Sequence, residues 1–223
     1  MASTPHDSDS LDQLQTPEQV ELLDAIDKLR DQGLGHHNIS LPQLIVCGEQ
    51  SSGKSSVLEG LTRLRFPTQD GLCTTFATEL ILRRNAITSI TCSIIPGKNR
   101  SQAEKDKLAE FKKVFSSAEE FAFPQLLADA EECMSFGAVS DRGPFFEDVL
   151  QIRYSGPDLP SLTIVDLPGI IQNHTSGLKA VRTVHGLVES YMAVERSIIL
   201  AVVSAQNDLE NATVLKYVQK FGT

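Results

Sequence analysis

The run Leu44-Ile45-Val46-Cys47-Gly48-Glu49-Gln50-Ser51-Ser52-Gly53-Lys54-Ser55-Ser56-Val57-Leu58-Glu59 joins an apolar, strand-like stretch to a helix-like one through a glycine loop. It contains G-x-x-x-x-G-K-[ST] between the two elements that give the motif its meaning. The spacing follows from chemistry. Gly48 and Gly53 allow the backbone to wrap closely around a polyphosphate with successive N–H groups turned inward. Lys54 brings a positive charge to the β- and γ-phosphates, and the Ser55 hydroxyl suits Mg²⁺. The start of the following helix adds the positive end of its dipole. By average residue usage, a chance match in a chain of this size is on the order of one in a hundred.

A second run, Leu162-Thr163-Ile164-Val165, reads as a buried strand ending in Asp166-Leu167-Pro168-Gly169. A carboxylate at the C-terminal end of such a strand can hold Mg²⁺, usually through water, facing the phosphates. Gly169 can turn its N–H toward a γ-phosphate with no Cβ in the way. D-x-x-G alone is a common turn; behind a phosphate loop it indicates a switch-type nucleoside triphosphatase. Between the two motifs lies Gly71-Leu72-Cys73-Thr74-Thr75, where a hydroxyl could complete the Mg²⁺ shell and place the attacking water.

The assembled set closely resembles the dynamin family of large GTPases. It comprises Leu41-Pro42, the nine residues Gly48 to Ser56, Val57-Leu58-Glu59, Gly71 to Thr75, Asp166-Leu167-Pro168-Gly169, Ser197 to Val203 and Asn207-Asp208-Leu209. The resemblance covers residues 17 to 223 and lies nearer the dynamin, Mx and fungal vacuolar-sorting branch than atlastins or septins. It implies a P-loop NTPase-type three-layer α/β/α fold with a mostly parallel sheet. It further implies GTP as substrate, Mg²⁺, and Na⁺ or K⁺ as a monovalent cation. By position, Gln50 would orient the catalytic water, and Ser51 would help hold the monovalent cation that replaces an arginine finger. Lys54 and Ser55 would contact phosphates and Mg²⁺. Thr74 would be the switch I threonine, Thr75 would stand where the family often has a basic residue, and Asp166 and Gly169 would form switch II. Glu49 and Ser52 fall inside the phosphate loop; the Glu49 side chain is expected to face solvent. Family members pair their G domains, self-assemble and remodel membranes, and some contact microtubules, so a cytoplasmic protein peripherally associated with membranes is implied.

One departure stands out. GTPases select guanine with the aspartate of [NT]-K-x-D, and no such tetrapeptide occurs in this sequence. The expectation is a G domain incomplete at Thr223. Two other readings stay open: a nucleotide-holding fragment with little hydrolysis, and a P-loop phosphotransferase, whose lid would need arginines, although Arg83, Arg84, Arg100 and Arg142 form no evident cluster.

The formal charge is −9, and residues 1–40 hold eight acidic and two basic side chains. No basic stripe exists for nucleic acid, and the balance disfavours direct contact with anionic lipid. Four cysteines at 47, 73, 92 and 133 show no metal spacing and read as reduced thiols. His174, in the switch II loop, is a possible general base. No signal peptide or membrane-spanning run is visible.

Residues 1–15 read as a disordered acidic tail. Residues 16–40 read as an amphipathic helix and linker, with Thr16-Pro17-Glu18-Gln19 as its start and Val20, Leu23, Ile26 and Leu29 as its stripe. The stripe either packs on the domain or, by the resemblance, belongs to a bundle-signalling element. Residues 41–223 form the G domain. Strands are expected at Gln43–Cys47, Thr78–Arg83, Ile87–Ile94, Leu150–Tyr154, Leu162–Asp166 and Ser197–Ser204. Helices are expected at Lys54–Leu64, Ser101–Phe115, Ser117–Phe136, Val181–Ala193 and Glu210–Phe221. Ser101/Glu104 and Ser117/Glu120 fit capping boxes, and Pro124 is expected to interrupt the third helix or delay its start.

Overall fold

A computed structural model describes residues 43–62, 64, 66, 74–117, 119–136, 145–157, 159–171, 178–206 and 212–221, with positions 16, 18, 21, 22, 25 and 28. The strands are β1 (Gln43–Gly48), β2 (Ala77–Arg84), β3 (Ser89–Ile95), β4 (Lys112–Phe115), β5 (Val149–Gly156), β6 (Leu162–Asp166) and β7 (Ser197–Val202). The helices are α1 (Lys54–Thr62), α2 (Gln102–Ala109), α3 (Phe123–Ser135), α4 (Leu178–Met192) and α5 (Thr213–Phe221). Near the N-terminus, Glu18, Glu21, Leu22, Ala25 and Lys28 are helical and exposed. The stripe of Val20, Leu23, Ile26 and Leu29 lies outside the described residues, as do Leu41-Pro42, Gly71 to Cys73, His174 and Asn207-Asp208-Leu209.

One seven-stranded sheet runs in the order β4-β3-β5-β2-β6-β1-β7. β1 pairs in parallel with β6 and β7, and β2 with β5. The β2–β6, β3–β5 and β3–β4 pairings are antiparallel. The β1 and β6 sequences are near-continuous apolar runs because both sheet faces are covered. On one face Val46, Leu80, Ile164 and Leu150 pack with Leu58 of α1 and with Leu126, Ala130 and Met134 of α3. On the other, Ile45, Cys47 and Val165 pack with Val184 and Val188 of α4 and Val214 of α5. The helices thus make the two outer layers of a three-layer α/β/α domain.

Two expected helices are shorter than the pattern suggests. The stretch Ser101–Phe115 splits. Ser101 and Glu104 form the expected capping box, with Glu104 Oε2 accepting the Ser101 N–H at 2.8 Å. The helix nevertheless ends at Ala109, and Lys112–Phe115 becomes an edge strand against β3. Exposure there alternates residue by residue, which is a strand's period, and lysines on an edge discourage further pairing. The Ser117/Glu120 pair forms half of its box: the Glu120 N–H donates to Ser117 Oγ at 3.4 Å, but Glu120 Oε2 accepts the Ser116 N–H instead of that of Ser117, and no helix follows directly. α3 begins at Phe123 instead, because Pro124 has no N–H to give and belongs in the first turn. Phe123 then packs edge-on against Phe66, centroids 4.8 Å apart, and stacks with Phe121.

The buried polar centre of the domain is Arg100, 7% exposed, against Asp148, 1% exposed. Arg100 Nε donates to Asp148 Oδ1 at 3.1 Å, and Asp148 Oδ1 also accepts the Gly97 N–H at 2.8 Å. The guanidinium further donates to Glu104 and to the carbonyls of Met134 and Phe136 at the end of α3. One side chain thereby joins the exit of β3, the start of α2, the end of α3 and the entrance of β5. Removing one partner of such a pair leaves a buried charge uncompensated. Asp148→Ala is therefore expected to lower unfolding free energy by about 3 kcal/mol, read from urea denaturation, with Asp148→Asn losing less.

Candidate functional site

The phosphate loop leaves β1 as a continuation of its ladder. The Ile170 N–H donates to the Gly48 carbonyl at 3.0 Å, and the Gln50 N–H donates to the Ile170 carbonyl at 3.4 Å. One step earlier the Leu167 N–H donates to the Val46 carbonyl at 3.3 Å. The loops after β1 and β6 are therefore held to each other by backbone, as parallel strands are, beyond the ends of the strands proper. Within the first loop the Ser52 N–H closes a turn onto the Glu49 carbonyl at 3.2 Å. Ser51 carries φ 61° and Gly53 φ 95°. A left-handed serine is uncommon, and at Gly53 a side chain would be strained.

Gly48 and Gly169 are required for space. A Cβ on Gly48 would lie 2.4 Å from the Val202 carbonyl oxygen and 2.6 Å from Ser52 Oγ. A Cβ on Gly169 would lie 3.1 Å from Gln50 Cα and 3.4 Å from Lys54 Nζ. Gly169, Gln50 and Lys54, far apart in the chain, thus converge on one spot. Gln50, Ser51, Gly53 and Ser56 are exposed, Lys54 and Ser55 half-buried, and Ser52 buried. Asp166 ends β6 at 5% exposure. Thr74 stands three residues before β2, which runs antiparallel to β6, so the fold brings it to the edge where Asp166 sits. Its neighbour Thr75 turns inward and donates to Glu131 Oε1 of α3 at 3.2 Å.

Glu49 corrects one expectation. Its side chain does not face open solvent; it is half-buried, and Oε1 accepts the Thr213 N–H at 2.7 Å. The first N–H of α5 has no partner inside its helix, and a carboxylate there meets both the free donor and the positive dipole end. No local pattern announces this, because the two residues are distant in sequence.

The donor set suits a polyphosphate with a divalent cation. Asp166 Oδ1 and Ser52 Oγ are buried with no hydrogen-bond partner. Among the described residues no group of three His, Cys, Asp or Glu could hold a metal unaided. A cation here would therefore share Ser55 and Asp166 with phosphate oxygens. Burial pushes the Asp166 carboxyl up to about 7 against the opposing pull of the Lys54 ammonium. Burial likewise pushes the Cys47 thiol up to about 12, making it a packing residue and not a nucleophile. Cys47, Cys92 and Cys133 are free thiols, and Cys73 lies outside the described residues.

The Asp166 shift has a definite sign. A carboxyl whose folded pKa is raised from 3.8 to about 7 binds its proton more tightly when folded. Its contribution to stability is fully present at acid pH and is lost as pH rises from the unfolded value through the folded one. Without ligand, Asp166→Asn is expected to melt with the parent near pH 3, below the unfolded value, and at least about 5 °C above it at pH 8. Thermal melts at the two pH values check this.

The comparisons agree with this geometry. The model of the dynamin family matches residues 44–222. The chain is 30% identical over 202 residues to dynamin-related protein 4C of Arabidopsis thaliana, covering 89% of this chain and 27% of that protein. It is 28% identical over 200 residues to the interferon-induced GTP-binding protein Mx of Epinephelus coioides, covering 89% of this chain and 29% of the relative. For the Mx protein of Gallus gallus the identity is 26% over 200 residues, covering 89% of this chain and 26% of the relative. The chain thus spans less than a third of the length of these three proteins. With its phosphate loop, its D-x-x-G turn and a family match over most of its residues, the chain belongs to the dynamin family.

Proposed function

We propose that this domain binds GTP with Mg²⁺ and hydrolyses it to GDP and phosphate as the nucleotide-handling part of a dynamin-like protein. The observation that carries the reading is the convergence of Lys54, Gln50 and Gly169 beside a buried carboxylate, Asp166, whose Oδ1 has no partner in the protein. The Mx relatives are named as GTP-binding proteins, and guanine choice is taken from that kinship.

In this mechanism the backbone N–H groups of Gly48 to Ser55 and the Lys54 ammonium receive the phosphate oxygens. Ser55 and Asp166 would hold Mg²⁺. The cation supplies charge that offsets the negative charge building on the bridging oxygen. Thr74 and Gln50 orient a water in line with that oxygen, and the Gly169 N–H faces the γ-phosphate. The water oxygen forms a bond to the γ-phosphorus as the β–γ bridging bond breaks. The electron pair leaves with GDP, and the water proton passes to phosphate and solvent. Ser51 helps seat Na⁺ or K⁺, whose charge takes the place of an arginine finger.

In the whole protein, G domains pair across the nucleotide and couple its state to self-assembly and membrane remodelling, in the cytoplasm and peripherally on membranes. Among the described residues no helix is long and apolar enough to cross a membrane. By kinship, microtubules are a further partner of the whole protein.

Lys54→Ala is expected to weaken nucleotide binding by about tenfold or more, about 1.4 kcal/mol per decade. Thr74→Ala is expected to retain binding and lower single-turnover hydrolysis by about 100-fold. Fluorescent-nucleotide titration and phosphate release, run with and without an acceptor hydroxyl, separate these effects. Equal loss of binding in both variants would remove Thr74 from its role, and phosphate delivered to the acceptor would make the protein a phosphotransferase.

For the monovalent site, hydrolysis is expected to rise when K⁺ or Na⁺ replaces a bulky organic cation at constant ionic strength. A rate indifferent to the cation would count against Ser51.

A further inference from the structure

Thr78 is the second residue of β2 and lies directly opposite Asp166 across the antiparallel β2–β6 pair. Residues so opposed point to the same face, with Cβ atoms about 4.5–5.5 Å apart. Thr78 is 1% exposed and Asp166 5% exposed. Thr78 Oγ1 and Asp166 Oδ1 are both buried without a hydrogen-bond partner. The next pair on that face is Leu80 opposite Ile164, and both belong to the apolar core. The row is therefore apolar until its last rung, where a hydroxyl stands beside a carboxylate.

Packing alone does not ask for this hydroxyl. Valine has nearly the same shape and would bury no polar atom, whereas an unpartnered buried hydroxyl opposes folding. The β-branched side chain has few χ1 choices, so the hydroxyl stays near one position. It can donate one hydrogen bond, and an ionised carboxylate can only accept. Carboxylates that hold metals are usually oriented by a hydrogen bond from the protein behind them.

We propose that Thr78 is a positioning residue for the Mg²⁺ site: its hydroxyl, unpartnered in the ligand-free chain, donates to Asp166 when the cation is bound and orients that carboxylate toward it. The inference rests on the proposed function, since it concerns how Asp166 holds Mg²⁺ beside a nucleotide. The hydroxyl touches neither nucleotide nor reacting atoms; it acts through Asp166 alone.

The test uses the 223-residue chain with Thr78→Val and Thr78→Ser, and N-methylanthraniloyl-GDP as the probe. Mg²⁺ is titrated against bound probe, probe affinity is measured in chelator, and the ligand-free proteins are melted. Thr78→Val is expected to raise the Mg²⁺ concentration for half-maximal retention by about tenfold, with affinity in chelator unchanged. Thr78→Ser, which keeps the hydroxyl, is expected to stay within about twofold of the parent. Ligand-free Thr78→Val is expected to melt at or above the parent, because it buries no unpartnered oxygen. An unchanged Mg²⁺ midpoint in Thr78→Val overturns the proposal. So does a Thr78→Ser midpoint as high as that of Thr78→Val, which would assign the effect to shape. A Thr78→Val protein that melts lower or fails to fold also overturns it, by making the hydroxyl structural. A parent chain with no Mg²⁺-dependent binding of the probe would defeat the proposed function itself, before any variant is compared.

Discussion

The parallel pairing of β1 with β6, continued past both strand ends, is the constraint on which the site depends. Val46 and Gly48 offer carbonyls to Leu167 and Ile170, and Ile170 accepts the Gln50 N–H in turn. These bonds hold two loops side by side although most of the domain separates them in sequence. Because Gly169 lies within that stitched segment, its closeness to Gln50 and Lys54 follows from the ladder. A parallel pair needs its intervening chain to cross back over the sheet. β2, β5 and β3 extend the sheet on the far side of β6.

Burial of Asp166 shapes the chemistry in a second way. A carboxylate beside Lys54 in open solvent would stay ionised across the whole physiological range. At the C-terminal end of β6 the loss of hydration outweighs the lysine's pull and raises the carboxyl to about 7. Site and fold are thus linked through one buried charge, much as Arg100 and Asp148 link four element ends on the other half of the sheet.

What the sequence made legible was what chemistry confines to fixed spacing. The phosphate loop must place two glycines, a lysine and a hydroxyl within eight residues, and the aspartate must close a buried strand, so both were readable. β6 was located at its observed ends for that reason. Strand direction was not readable: β2 and β5 carry the same apolar pattern whichever way they run, and the antiparallel β2–β6 pairing is set by tertiary topology. Lys112–Phe115 was misread because charged residues continue a helical pattern as readily as they protect an edge strand. The start of the third helix is not legible because one capping bond forms without a helix behind it, while Pro124 sets where the turns can begin. The Glu49–Thr213 contact and the pairing of Thr78 with Asp166 escape a sequence reading for a common reason. Each joins residues far apart in the chain, and neither Glu49 nor Thr78 differs locally from ordinary loop or strand.

The Glu49 contact also resolves a difficulty of charge placement. A loop built to receive several negative oxygens is a poor place for an acidic side chain, since like charges at such range repel. Two helix N-termini lie near this loop: α1 begins at Lys54, and α5 begins at Thr213 and receives the Glu49 carboxylate. The acid is thereby parked on a helix end of its own. If the loop backbone shifts so far that this carboxylate withdraws, the Thr213 N–H loses this contact. The resting shape of the loop and the start of a helix on the opposite face of the sheet are consequently coupled.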